Sequence, residues 1–379
     1  MKITAIISEY NPFHNGHKYQ IEVLKKEYDA VVSVMSGNFV QRGGIAVCDK
    51  WTRARTALLN GVDLVIELPV VYALNTAEKF AEGGVRLIDK MGVIDTLCFG
   101  SESGKTDEFY SVAELLNNEP EEASEKISMF LEKGMSFPAA REKAYEGIIN
   151  TELLKGPNNI LGLEYVKALK KINSGVTTKT IKRIGAGYND IDYSSEFSSA
   201  TAIRELIKKD GDYKKFVPEN TVEILKNAEQ FSEEKLLNIL KYAVLTKGTE
   251  YIKNINDVNE GLENRVFEAV RKENSFDEIA NRIKSKRYTM SKIRRILYSV
   301  ILDVGKEFKE PEYIRVLGMS ETGKNILKEM KKKAELPIVT KTADFSLEML
   351  DKDIFATDIS YMTINGKVGM DYLTSPVMV

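Results

Sequence analysis

Histidine occurs twice in the 379-residue sequence, at His14 and His17, inside the run Glu9-Tyr10-Asn11-Pro12-Phe13-His14-Asn15-Gly16-His17. At the start of a helix, imidazoles at this spacing share one face. Gly16 permits close approach to the backbone, and the helix N-terminus offers unpaired N–H groups at the positive end of its dipole. Together these residues describe an anion site. A phosphate bound there raises the imidazole pKa values and favours the charged donor form, which suits the charge that builds on the α-phosphate and pyrophosphate during adenylyl transfer. The plainer alternative is a pair of capping or core histidines. Without a third histidine, a hydrolytic triad or a His-rich metal site has no material elsewhere in the chain.

The elements that must position this pair are legible as alternating patterns. Residues 2–8 form a continuous apolar, β-branched run that stops where Pro12 follows, and helical periodicity begins near Asn15. Further strands are expected at 30–35, 62–68, 94–99 and 177–184, with helices at 50–59, 76–91 and 198–207 and a glycine turn at 185–187. Residues 118–125 read as a solvated loop and helix start. Alternation of this kind predicts a parallel α/β sheet over 1–210. Ligands of such sheets sit at the carboxyl ends of the strands, here 9–17, 36–38 and 100–103. From 211 to 310 the pattern is helical throughout, and 311–379 is a small C-terminal α/β segment with strands at 313–317 and 336–340 and a helix at 323–333.

Lys and Arg total 54 against 56 Asp and Glu, a net charge of −2, so a polyanionic partner must be held by a local patch. One stretch qualifies. Arg282, Lys284, Lys286, Arg287, Lys292, Arg294 and Arg295 fall in 282–295 with Tyr288 and no acid between them. RNA phosphate contacts are expected there, a solvated surface being the alternative. Lys50, Arg53 and Arg55 follow the Gln41-Arg42-Gly43-Gly44 loop and are expected at the mouth of the crevice. Cys48 and Cys98 lie far apart with no CxxC, which suggests buried thiols rather than zinc or a disulfide. The apolar run at 3–7 is too short for a signal core or a membrane span, so no membrane partner and a cytoplasmic location are expected.

The run 9–17 resembles the HxGH motif of the nucleotidyltransferase superfamily. Its longer form, EYNPFHNGH, resembles one family within it, the bacterial tRNA(Met) cytidine acetate ligases. Similar stretches follow in family order: MSGNFVQRG at 35–43, KWTR at 50–53, NGVDLVIELP at 60–69, FGSE at 99–102, PNNILGLEY at 157–165, RIGAGY at 183–188, SATAIR at 199–204 and KRYTMSKIRR at 286–295. The resemblance implies a Rossmann-like fold and catalysis by His14 and His17. It implies ATP contacts at Ile7, Ser8, Glu9, Tyr10, Asn11, Pro12, Phe13, His14, Asn15, Gly16, His17, Lys18, Tyr19, Gln20, Gly100, Asn158 and Arg183, with Asn159 open as the partner in place of Asn158. Ser199 and Thr201, ahead of Arg204, resemble the superfamily's second motif, ISSTxxR.

Each of these residues also has an ordinary reading: a turn for Gly100, a helix cap for Asn158 and Ser199, an exposed ion pair for Arg183. Lys50 and Arg53, with the seven cations of 282–295, are expected to meet tRNA. The activity implied is activation of acetate by ATP, with Mg²⁺ expected alongside it. Acetyl transfer to N4 of the wobble cytidine of elongator tRNA(Met) follows. Two other readings are an adenylyltransferase acting on a small molecule and an RNA-binding module without turnover. The proton acceptor for the cytidine amine is left open.

Overall fold

In the computed structural model the described residues are 1–183, 197–259, 261–307, 309–364 and 366–379; the glycine turn expected at 185–187 lies outside them. The strands are β1 (Ile3–Ser8), β2 (Ala30–Ser36), β3 (Phe39–Val40), β4 (Gly44–Ile45), β5 (Leu64–Leu68), β6 (Thr96–Ser101), β7 (Thr177–Lys182), β8 (Ile314–Met319), β9 (Ile338–Val339) and β10 (Val377–Met378). Among the described residues β1, β2 and β5 are buried along their whole length, which is why they read as continuous apolar runs: helices cover both faces. The main sheet runs β10-β8-β5-β2-β1-β6-β7, with β9 beside β8. β1 pairs parallel with β2 on one side, Ile3 opposite Ala30, and with β6 on the other, Thr4 opposite Thr96. After β5 the chain returns to the far side of β1. The strand order therefore reverses at β1 and β6, the point where an open α/β sheet forms its ligand crevice.

The C-terminal segment does not stand apart. β8 adds to the edge of the same sheet, antiparallel to β5, with Val65 opposite Gly318, so the sheet is mostly rather than wholly parallel. Ile314 and Val316 share a core with Ile66 and Leu68. Beneath them lies a buried ionic knot. Lys50 Nζ is 2.8 Å from Glu67 Oε1 and 2.9 Å from Asp371 Oδ1, and Arg315 reaches the same two carboxylates. Paired charges are the form in which a core tolerates them.

Helices Glu233–Lys253, Leu262–Lys272, Phe276–Ile283 and Met290–Leu302 build a second core around Leu240, Val266, Ile279 and Ile296. Phe39 of β3 enters that core, its ring 5.7 Å from Tyr298. The β3–β4 hairpin has no periodic signature in the sequence, because two-residue strands carry no periodicity. No described helix is long and apolar enough to cross a membrane.

Candidate functional site

β1 ends at Ser8, and the following residues turn sharply, with Tyr10 at φ +44°, into helix Asn15–Leu24. His14 is the N-cap of that helix. Its Nδ1 accepts the Gly16 N–H at 3.1 Å, and the Nδ1 of His17 accepts the His14 N–H at 3.2 Å, a reciprocal capping box built from two imidazoles. The rings stack with centroids 3.6 Å apart, and Phe13 lies beside His17. With each Nδ1 occupied as an acceptor, the neutral rings carry their proton on Nε2, where it is a donor. Burial, with the positive charges of Arg183 and Arg204, pushes His14 down to about 3. Burial, His14 and Arg183 hold His17 well below the usual imidazole range. Capping and ligand binding were alternatives in the sequence. The geometry makes them compatible, since capping uses Nδ1 and leaves Nε2–H.

Both rings line a cleft of about 210 Å³ at the carboxyl ends of β1 and β6. Ile7, Ser8, Glu9, Tyr10, Asn11, Gln20, Gly100, Asn158, Arg183, Ser199 and Thr201 line it with them, and Gly16 and Tyr19 line a small adjoining cavity. Pro12, Phe13, Asn15 and Lys18, expected in the same run, do not line it. Phe13 is buried beneath the rings, Asn15 donates to the Lys215 carbonyl, and Lys18 faces Glu22 on the exposed side. Arg183 Nη1 donates to Asn158 Oδ1 at 3.2 Å, and a Cβ at Gly100 would crowd the Arg183 side chain at 3.3 Å. Asn158 is thereby set apart from its neighbour. Asn159 is buried, with its own amide donating to the Glu152 carbonyl and its Oδ1 accepting from the Glu102 N–H. Ser199 caps helix Ala200–Lys208 at the cleft wall, and Arg204 joins Thr201 Oγ1 to the Asn11 carbonyl.

Gln41, Arg42 and Tyr165 line the cleft as well, and the sequence reading gave them no contact there. Gln41 and Arg42 are carried by the β3–β4 hairpin, whose only sequence signal is the Gly43-Gly44 turn.

Lys50 and Arg53, expected at the cleft mouth against tRNA, do not lie there. Both are buried, at 0% and 1% exposure, and neither can meet RNA. Lys50 belongs to the ionic knot. Arg53 donates to the carbonyls of Glu9 at 2.7 Å, Ser36 at 3.1 Å and Cys48 at 3.2 Å, and also to that of Gly37. The reason was present in the helix Lys50–Leu59: positions 50, 53, 54, 57 and 58 form one stripe, so the two cations lie on the face of Ala54, Ala57 and Leu58.

The basic run divides in the same way. Arg295 is buried against Asp257, and Arg294 is held by Glu233, Asp277 and the Gly43 carbonyl. Arg282 pairs with Glu273 and Lys292 donates to Asn259. The acids missing within the run are supplied from outside it, by Glu233, Asp257, Glu273 and Asp277. Lys284, Lys286 and Arg287 remain exposed in the connection before helix Met290–Leu302, without an ion-pair partner among the described residues.

The HIGH Nucleotidyl Transferase family model matches residues 1–372. A tRNA(Met) cytidine acetate ligase of Thermoanaerobacter sp. (strain X514) is 44% identical over 397 residues, 98% of each chain. One of Clostridium novyi (strain NT) is 43% identical, over 100% of this chain and 99% of its own. The crystal structure of Thermotoga maritima TmcAL bound with alpha-thio ATP superposes with a TM-score of 0.92 at 36% identity, covering 100% of this chain and 99% of that one.

Proposed function

The chain belongs to the HIGH nucleotidyl transferase family and groups with its tRNA(Met) cytidine acetate ligases, and from that premise we propose that it joins acetate to N4 of the wobble cytidine of elongator tRNA(Met) at the expense of ATP. The observation that carries the reading is the stacked pair of imidazoles with Nδ1 engaged, set beside Arg183 and Arg204 in the crevice of the sheet.

Acetate is ionised at neutral pH, so attack on the α-phosphate needs no base, and the protein's task is to position charge. The two Nε2–H groups, Arg183 and the N-terminus of helix Ala200–Lys208 are donors for the phosphates as pyrophosphate departs. The acetyl-adenylate that forms is the activated acyl donor a cytosine amine requires, because that nitrogen's lone pair is delocalised into the ring. Mg²⁺ fits less well with these residues. Glu9 is the single carboxylate lining the cleft among the described residues, one of its oxygens is taken by the Gln41 N–H, and no group of three potential metal-ligating side chains is found among them. No step is assigned to the metal. The exposed Lys284, Lys286 and Arg287 are the cations we assign to the tRNA backbone, and the protein acts in the cytoplasm, where this substrate is.

The test is mass spectrometry of cytidine in unmodified elongator tRNA(Met) after incubation with the protein, ATP and labelled acetate, beside a His17→Ala variant. Labelled N4-acetylcytidine with the wild type alone is expected. Its absence from the wild type despite ATP binding overturns the reading in favour of another adenylyl acceptor.

A further inference from the structure

Acetyl transfer to a cytosine amine must dispose of a proton, and we infer that the carboxylate of Glu9 receives it. This inference rests on the ligase reading above. Glu9 follows β1 directly, is half-buried and lines the cleft. Its Oε1 accepts the Gln41 N–H at 2.8 Å, while its Oε2 has no hydrogen bond among the described residues. The pinned oxygen fixes the group, and the other is available.

The other ionisable groups lining the cleft are unsuited to the task. Arg42, Arg183 and Arg204 are cations. The Tyr10 and Tyr165 phenols are held above their usual range by burial, so they stay protonated. His14 and His17 already use Nδ1 as an acceptor and carry hydrogen on Nε2. Among the described residues of the cleft, only Glu9 combines a negative charge with a free lone pair.

Its place in the fold links it to the helical part, where the cations assigned above to the tRNA backbone lie. Gln41 belongs to the turn between β3 and β4. That turn is fastened to the helical part, because the Gly43 carbonyl accepts from Arg294 Nε at 2.9 Å and Phe39 is sunk against Tyr298. Arg294 lies in the helix that follows the exposed cations Lys284, Lys286 and Arg287. Glu9 is therefore tied through the β3–β4 turn to the helix that follows the basic loop, whereas Arg183 directly follows β7.

The step balances. N4 attacks the acetyl carbonyl carbon and a C–N bond forms. The tetrahedral intermediate collapses, the bond from the acetyl carbon to the phosphate oxygen breaks, and AMP leaves with that electron pair. The N4 proton passes to Glu9 Oε2 and then to water. A carboxylate is basic enough, because nitrogen becomes strongly acidic once the C–N bond forms.

The experiment is a partition assay with Glu9→Gln, whose amide oxygen keeps the Gln41 hydrogen bond but is not a base. Hydroxylamine, a strong nucleophile that needs no base, is added to ATP, labelled acetate and tRNA, and acetohydroxamate and acetylcytidine are measured together. The ratio of hydroxamate to acetylcytidine is expected to rise by about 10²-fold or more over the wild type, with Glu9→Asp between the two. An unchanged ratio overturns the assignment. Loss of both products in Glu9→Gln overturns it too and assigns Glu9 to the ATP step. If the wild type makes hydroxamate but no acetylcytidine, the ligase reading itself fails.

Discussion

His14 and His17 stack 3.6 Å apart, each accepting one backbone N–H at the same helix start, so a single turn of backbone fixes the tautomer of both rings. The sequence points to a charged pair once a phosphate is bound; without a bound anion the rings are neutral, because burial and the neighbouring guanidinium groups disfavour a further positive charge.

That depression has a sign. Between the unfolded imidazole value of 6.5 and the folded value of about 3, the unfolded chain binds more protons at His14 than the folded one. The stabilisation is complete above the unfolded value and is lost as pH falls toward the folded value. Denaturant midpoints measured across this window should fall with acidification, and His14→Asn, which retains a capping acceptor but does not titrate, should fall less steeply. Equal slopes would count against the assignment.

Arg183 is the cation we assign to the triphosphate, oriented by Asn158 at 3.2 Å. Loss of a charged hydrogen bond costs about 1.5–3 kcal/mol, so Arg183→Ala should weaken ATP binding roughly 10- to 100-fold. Calorimetric titration of ATP against both proteins checks this.

The ionic knot makes the C-terminus necessary to the N-terminal sheet. Asp371→Asn leaves Lys50 and Arg315 buried with one carboxylate fewer and should destabilise by about 3–5 kcal/mol. Lys324→Ala, which breaks an exposed pair with Glu321, should change stability by less than about 1 kcal/mol. Chemical denaturation separates the two.

At Gly43 the backbone adopts φ +77°, and a Cβ would come within 2.4 Å of the Arg295 amide nitrogen. Gly43→Ala must shift backbone against backbone, and a loss of about 1–3 kcal/mol is expected. Because this turn also pins Glu9, acetyl transfer should fall with it.

If Lys284, Lys286 and Arg287 meet phosphates, replacing all three with Ala should weaken tRNA binding and lower the slope of log affinity against log salt by about 0.7–0.9 per contact. Filter binding at several salt concentrations measures this. An unchanged slope would leave the loop as solvated surface. Arg294→Ala and Arg295→Ala should instead lower thermal stability, since both are held by carboxylates from other segments.

The local chemistry of this protein was legible along the chain. Continuous apolar runs locate β1, β2 and β6, and 3.6-residue spacing the helix Lys50–Leu59, to within a few residues, and 9–17 points to an anion site, because strand, loop and helix N-terminus are consecutive in sequence. What the tertiary structure decided is which charges face inward and what faces them. Lys50 and Arg53 read as surface cations until Glu67, Asp371 and the carbonyls of Glu9 and Ser36 are brought to them from elsewhere in the chain. The acids that neutralise Arg294 and Arg295, the entry of Phe39 into the helical core and the pinning of Glu9 by Gln41 are likewise contacts between distant segments. A sequence displays residue types and their spacing. The free energy of a buried charge depends on its neighbours in space, and those exist only once the chain has folded.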